Sequence, residues 1–342
     1  MLELIWVQFA VCLLIIVVAG TKLAKYGDLI AKKTGLGRVW IGVVLLATIT
    51  SLPELATGIS SVTFINEPDL TIGNLFGANL INLLIIAIID LVHRRGPVLH
   101  YLGTRIVLSA VLSLFLIAAA ATSLYLAQNL LTVALFGRIG IYSVVLFCLF
   151  LLAQYMIYRF QPEKSEDIQM GEAVSVKGNL ISLKKVVIFF AVAAVATAGA
   201  GTWLAFIGDQ IAEVTGLATG VVGTLFLAFV TSSPEMVVSI SAARIGALDM
   251  AVGNMVGSNL FNMGVIIFVD DLFYSAGPIL QGADVNHIIT ALFALLMSSI
   301  VIIGIIYRPR FWLRIWVGVE SVALAVIYFG AVVTLYLLSK TA

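Results

Sequence analysis

Two short motifs hold the residues able to do chemistry in this 342-residue chain, and each occurs twice. The first is Thr-Ser-x-Pro-Glu, at Thr50, Ser51, Pro53 and Glu54 and again at Thr231, Ser232, Pro234 and Glu235. The second is Gly-Asn-x-x-Gly-x-Asn-x-x-Asn, running from Gly73 to Asn82 and again from Gly253 to Asn262. A proline lacks the amide proton and clashes with the carbonyl four residues back. Pro53 and Pro234 are therefore expected to free the carbonyls of Ile49 and Val230 and to kink or break their helices. Freed carbonyls, Thr and Ser hydroxyls, Asn amide oxygens and one Glu per motif are all hard oxygen donors. Such a set suits Na⁺ or Ca²⁺, whereas Zn²⁺ or copper would call for His and Cys.

The surroundings of these motifs are oily. Hydrophobic residues make up 61% of the chain and charged ones 11%, against about 25% charged in soluble domains. That balance excludes a cytosolic enzyme, a secreted disulfide scaffold and a nucleic-acid binder. Apolar runs fall at about residues 4–20, 39–65, 70–91, 104–126, 139–158, 185–207, 217–243, 249–269, 286–307 and 312–338. They predict an all-α polytopic membrane protein with ten transmembrane helices. The runs are continuous rather than alternating, which argues against a membrane β-barrel. Glu54 and Glu235 lie near the middle of their runs, where a carboxylate costs at least about 2.5 kcal/mol and marks a functional site by default. Cys12 and Cys148 sit inside apolar runs and are read as packing, and His93, His100 and His287 fall at membrane edges. The start, Met1-Leu2-Glu3, lacks a basic n-region, so the first run is read as a retained span.

Charge supplies the orientation. Nineteen Lys and Arg nearly balance 18 Asp and Glu, so the net charge directs nothing and the placement matters. Lys22 to Arg38, Arg94 to Arg105, Arg159 to Lys185, Arg244 and Arg308 to Arg314 all fall after odd-numbered spans, placing 17 of the 19 basic residues on one side. Only Arg138 and Lys340 fall on the other. By the positive-inside rule the rich side is cytoplasmic and both termini are external. A multi-pass protein of the plasma or inner membrane is expected. The polar stretch 159–184 reads as a cytoplasmic linker.

The duplication extends beyond the motifs. A shift of 181 residues superposes Gly20-Thr21 on Gly201-Thr202, Gly27-Asp28 on Gly208-Asp209, Thr34-Gly35-Leu36 on Thr215-Gly216-Leu217, and Pro53-Glu54 on Pro234-Glu235. After a one-residue deletion the shift is 180, pairing Gly73-Asn74 with Gly253-Asn254, Asn82 with Asn262, and Asp90 with Asp270. The two aspartates are expected to be caps or anchors at opposite membrane surfaces. Each half, 1–158 and 185–342, would hold five spans, and an odd number forces the second half into the membrane upside down. Inverted repeats around a midplane site are the architecture of alternating-access transporters. Gly73, Gly77, Gly253 and Gly257 recur four apart and are read as close-packing positions.

With these residues in place, the chain resembles the sodium/calcium exchanger family of the cation/calcium antiporter superfamily. Its two alpha-repeats are similar to residues 40–91 and 221–271. The resemblance implies a transporter and no enzyme, with no cofactor, Ca²⁺ and Na⁺ as transported ions, and the lipid bilayer as its surroundings; no protein partner is indicated. It assigns Glu54 and Glu235 as the principal carboxylate ligands. Thr50, Ser51, Thr231 and Ser232 would supply hydroxyl or carbonyl oxygens, with Asn82, Ser258 and Asn262 completing the cage. The carbonyls of Ala47 and Ala228 would touch Na⁺, and sliding of the first and sixth spans would alternate access. Four positions depart from the family pattern: Ile49 and Val230 replace the usual Gly, Ala78 a common Ser, and Asn262 an Asp found in one repeat.

Two ionised glutamates neutralise one Ca²⁺, and emptying such a site would leave two like charges at low dielectric. Obligatory exchange follows from that penalty. Two readings stand open at this point, Na⁺/Ca²⁺ exchange and H⁺/Ca²⁺ exchange through the same glutamates. A passive channel is disfavoured by the lack of a Gly-rich filter loop or rings of charge, and an intramembrane hydrolase by the lack of a Ser-His, paired-Asp or His-metal set.

Overall fold

The computed structural model describes residues 2–34, 41–130, 134–135, 138–160, 182–244, 246–308 and 317–339. The expected linker falls outside the described residues from 161 to 181, as do Gly35, Leu36, Arg38, Arg310, Arg314, Lys340 and the start of the tenth run.

The described fold is helical apart from one two-residue ladder. Helix α1 (Leu2–Thr34) leads to a π-helical stretch (Ile41–Leu46) that continues as α2 (Ala47–Thr50). After a turn at Ser51 the chain resumes as α3 (Leu52–Ser60), with a second π-helical stretch at Ser61–Ile65. Then come α4 (Pro68–His93), α5 (Thr104–Asn129), the ladder β1 (Ala134–Leu135) with β2 (Ile139–Gly140), and α6 (Ile141–Arg159). The second half begins with α7 (Leu183–Thr215) and α8 (Thr219–Val222), the latter passing through a π-helical stretch (Gly223–Leu227) into α9 (Ala228–Thr231). A turn at Ser232 precedes α10 (Ser233–Arg244). Helix α11 (Leu248–Phe261) continues through π-helical Asn262–Ile266 into α12 (Ile267–Phe273), followed by α13 (His287–Tyr307) and α14 (Val319–Leu338).

Among the described residues, eight helices are long and apolar enough to cross a membrane. Thr219–Thr231 and Ser233–Arg244 form a further pair bent by 42°, and Leu52–Ile65 is a shorter apolar helix. The two segments expected as single spans at 39–65 and 217–243 are therefore broken helices. The cause is local: Pro53 and Pro234 each occupy the first turn of the second piece, where a missing amide proton is harmless. Ser51 (φ −84°, ψ 11°) and Ser232 (φ −80°, ψ 3°) make the two turns with nearly identical backbones. Of the carbonyls expected to be freed, that of Val230 accepts the Ser233 hydroxyl.

Helices α1 and α7 outrun their expected ends near 20 and 207. Neither contains proline, and their polar second halves remain compatible with helix. Gly216, in the left-handed region at φ 67°, stops α7. At 33 residues each they measure about 50 Å, more than a bilayer core of about 30 Å. They lie along one another, α1 also packing on α10 and α7 on α3.

Helix α4 and the α11–α12 run form the centre, with 78% and 83% of their apolar windows buried, against at most 44% for the other spanning helices. Each half's broken helix packs on the central helix of the other half. The recurring glycines permit that approach. A Cβ on Gly77 would come within 2.9 Å of the Ala228 Cβ, and one on Gly257 within 2.8 Å of the Ala47 Cβ. Gly73 lies against the Gly220 carbonyl, and Gly253 against Val43.

Two expectations are corrected. Cys148 is exposed on the outside of the bundle rather than packed, while Cys12 is buried and donates to the Ala200 carbonyl. Asp90 caps a loop, accepting from the amides of Val98 (2.6 Å) and Gly318 (2.8 Å), but its counterpart is Asp271 and not Asp270. Asp271 accepts from the Ile279 amide (2.6 Å), eight residues on, as Val98 lies eight residues beyond Asp90. The π-helical stretch at Asn262–Ile266 accounts for the slip: it faces an uninterrupted α-helix in the first half, and the added residue returns the shift to 181.

Valine at Gly77 or Gly257 would overpack these contacts, at a cost of about 1–3 kcal/mol. Gly199 lies within a helix with nothing near its Cβ direction, so G199A is expected to leave stability unchanged or raise it. Thermal unfolding midpoints in detergent should fall for G77V and G257V and hold for G199A.

Candidate cation-binding site

The two broken helices point their inner ends at one another's carboxylates. Glu54 lies in the first turn of α3 and Glu235 in the first turn of α10, where the positive end of the helix dipole favours a carboxylate. Both are fully buried, as are Thr50, Ser51, Thr231, Ser232, Asn82, Ser258 and Asn262.

Hydrogen bonds exchange reciprocally between the halves. Ser51 Oγ donates to Glu235 Oε1 at 3.1 Å, and Ser232 Oγ donates to Glu54 Oε1 at 3.2 Å. Thr50 Oγ1 lies 3.3 Å from Asn254 Oδ1, and Thr231 Oγ1 lies 3.1 Å from Asn74 Oδ1. Asn82 Nδ2 donates to Asn259 Oδ1 (2.9 Å), and Asn262 Nδ2 to Asn79 Oδ1 (3.3 Å). Ser258 adds a weak contact to Glu235 Oε1 at 3.4 Å. Ala78 offers nothing equivalent to Glu54, so the two carboxylates differ by one hydroxyl.

Each of these residues thus has one oxygen or nitrogen engaged. The remaining acceptors, Glu54 Oε2, Glu235 Oε2, Asn82 Oδ1 and Asn262 Oδ1, are buried without a donor. An unsatisfied buried acceptor costs about 1–3 kcal/mol, and more if charged, so four together call for a compensating group. All four are hard oxygens that accept and cannot donate, which is the chemistry of an alkali or alkaline-earth cation. The amide nitrogens of Asn74, Asn79 and Asn259 are also unpartnered, and a cation does not explain them. Among the described residues no group of three or more His, Cys, Asp or Glu is arranged to hold a metal ion, and the two carboxylates stand here among neutral hydroxyls and amides.

The carbonyls of Ala47 and Ala228, expected as cation contacts, accept the amides of Ser51 and Ser232 at 3.0 Å each. Each also receives a long contact from a threonine hydroxyl at the break, Thr50 Oγ1 on Ala47 at 3.4 Å and Thr231 Oγ1 on Ala228 at 3.5 Å. The histidines are elsewhere: His287 faces Asp69 at 3.1 Å and His100 faces Glu320 at 3.1 Å. Around the start of α4, partial burial and then the negative charges of Asp209 and Asp69 raise the Glu67 carboxyl above its ordinary range, so this end of the helix is acidic.

Reading the motifs for ligands missed Asn74, Asn79, Asn254 and Asn259. Asn74 accepts the Thr231 hydroxyl, Asn259 and Asn79 hold the amides of Asn82 and Asn262, and Asn254 lies beside the Thr50 hydroxyl, whose shorter bond, 2.9 Å, goes to the Leu46 carbonyl. The repetition of these asparagines in both motifs was the available signal, and only the packing shows that each faces the opposite half.

Three comparisons bear on the fold and its relatives. The family model described as sodium/calcium exchanger protein matches residues 4–156 and 185–337. The chain is 34% identical over 134 residues to the sodium/calcium exchanger MaX1 of Methanosarcina acetivorans, a match covering 38% of this chain and 35% of that protein. It is 25% identical over 288 residues to the inner membrane protein YrbG of Escherichia coli, covering 83% and 86%. A solved structure of the sodium-calcium exchanger NCX_Mj, soaked with 10 mM Na⁺ and zero Ca²⁺, superposes with a TM-score of 0.63 at 20% identity over 97% of this chain and 99% of that one. At that identity the likeness speaks to fold alone.

Replacing Asn259 by leucine leaves the Asn82 amide without its acceptor. The N259L protein should lose about 1–3 kcal/mol, read as a lower unfolding midpoint, and N79L should lose a similar amount through Asn262.

Proposed function

The chain belongs to the sodium/calcium exchanger protein family, and from that premise we propose that it is a secondary antiporter exchanging Na⁺ for Ca²⁺ by alternating access through the Glu54–Glu235 cage. The observation that carries this reading is the reciprocal pairing of two buried carboxylates across the halves, each with one unpartnered oxygen. In this reading Glu54 and Glu235 are the principal ligands. Asn82 and Asn262 add amide oxygens, and Thr50, Ser51, Ser258, Thr231 and Ser232 line the cage. The Ala47 and Ala228 carbonyls serve Na⁺.

Charge balance makes the exchange obligatory. One Ca²⁺ neutralises both glutamates. The empty cage holds two like charges in a medium where Coulomb repulsion is strong, so it changes sides only when refilled. Na⁺ is the replacement favoured by the neutral hydroxyl and amide oxygens, which extend coordination without adding charge. The acidic group of Glu67, Asp69 and Asp209 would raise the local concentration of cations at that end of α4.

The topology proposed with this mechanism is ten spans, counting each broken helix as one. Residues 1–158 and 185–342 form two five-span units of opposite orientation, joined by a cytoplasmic linker at 159–184, with both termini external. The reciprocal contacts fit a twofold relation between the halves, and five spans per half, an odd number, favour the inverted arrangement. The long helices α1 and α7, each lying against the other half's broken helix, are the sliding elements.

Purified protein in liposomes should take up ⁴⁵Ca²⁺ when an outward Na⁺ gradient is imposed, and E54Q and E235Q should each reduce that flux by about a hundredfold, as loss of about 3 kcal/mol from a buried charged set implies. Uptake driven by a pH gradient with no Na⁺ present would assign the coupling to protons. Flux unchanged in both variants would remove the cage from the pathway.

A further inference from the structure

A third buried carboxylate stands outside the cage. Asp270, on α12, is fully buried. Its Oδ2 accepts a 2.6 Å hydrogen bond from Thr71 Oγ1 in the first turn of α4, and its Oδ1 has no partner. The carboxyl group rests against Gly58 of α3, where a Cβ would lie 2.8 Å from the Asp270 carboxyl carbon. Gly58 follows Glu54 by four residues on the same face of α3, so Asp270 sits one helical turn from the cage.

This contact is built in one half only. In the other half the equivalent positions are Ser239 for Gly58, Ala251 for Thr71 and Ile89 for Asp270. Ser239 is occupied in accepting from the Asn254 amide. The open glycine position, the hydroxyl on the central helix and the carboxyl occur together on one side, and none of the three recurs at its equivalent position on the other, which packing alone would not require.

The surroundings narrow the ligand. Among the described residues no Lys, Arg or His pairs with Asp270. Asp271, the acidic neighbour on its own helix, is turned to the amides of Gly140 and Ile279 and toward Tyr142 and Ser143 of α6. From α4 the nearest acid in sequence, Asp69, faces His287, and from α3 the titratable group is Glu54, a turn away. Every facing group is neutral or acidic. An unpaired ionised carboxylate in such a place costs several kcal/mol. A bare metal cation needs about six oxygens, whereas one carboxyl and one hydroxyl are present. A proton needs only a single oxygen.

We propose that Asp270, held by Thr71 and seated against Gly58, is a proton-binding site outside the two-glutamate cage. The proton comes from water and bonds to the unpartnered Oδ1, and it returns to water on release. Because the other half has no such group, the protein gains a pH response from one side of its cycle. The proposal goes beyond the exchange reading and holds whichever cation the cage carries.

Infrared spectra of the protein in lipid at neutral pH, with exchange into D₂O, test it without any transport measurement. A carbonyl stretch component of a protonated carboxyl group should be present in the wild type and in both E54Q and E235Q, lost in D270N, and moved to higher wavenumber in T71V, which removes the hydroxyl donor. An unchanged band in D270N overturns the proposal. Should D270N fail to fold, T71V decides: a band at the wild-type position there overturns it equally.

Discussion

Two fully buried carboxylates face one another across the halves of this protein, and among the described residues no fixed cation pairs with either. Permanent pairing with Lys or Arg would be cheaper, since a buried charge left unpaired is among the costliest arrangements in a fold. The remaining structure arranges what the charges need in place of a partner. Two helices break beside the carboxylates, their free N-terminal ends point at them, and hydroxyls from the opposite half hold one oxygen of each while leaving the other open.

That arrangement depends on reciprocity. Ser51 serves Glu235 and Ser232 serves Glu54; Asn259 orients Asn82 and Asn79 orients Asn262. Neither half can complete its own cage, so the two must interdigitate closely. Gly73, Gly77, Gly253 and Gly257 remove the side chains that would hold the opposite broken helix away. Packing and site are one construction, and a substitution that widens the helix contact also separates each carboxylate from its hydroxyl. In the proposed exchange the same coupling would transmit loading of the cage to α1 and α7.

Much of this was legible in the sequence because it rests on residue types with few other uses at that depth. A Glu in an oily run, a Pro just before it and three Asn at fixed spacing, all occurring twice, point to a midplane oxygen site and to a duplicated chain. Three things were not legible. The extent of α1 and α7 was hidden because helix continuation past a hydrophobic run leaves no mark when no proline intervenes, and the single glycines Gly27 and Gly208 are absorbed within the helices. The pairing of Asp90 with Asp271 was hidden because a π-helical stretch adds a residue without any change of composition. The orienting role of Asn74, Asn79 and Asn259 depends on which half each faces, which spacing alone does not give.

The central claim is that Glu54 and Glu235 form a single site rather than two. A double-mutant cycle on equilibrium Ca²⁺ binding, measured by calorimetry on the detergent-solubilised protein with E54Q, E235Q and the double variant, tests it most directly. One shared site predicts that either substitution removes most of the affinity and that the double variant loses little more, a large coupling energy. Losses that simply add would mean two independent sites and would contradict the account.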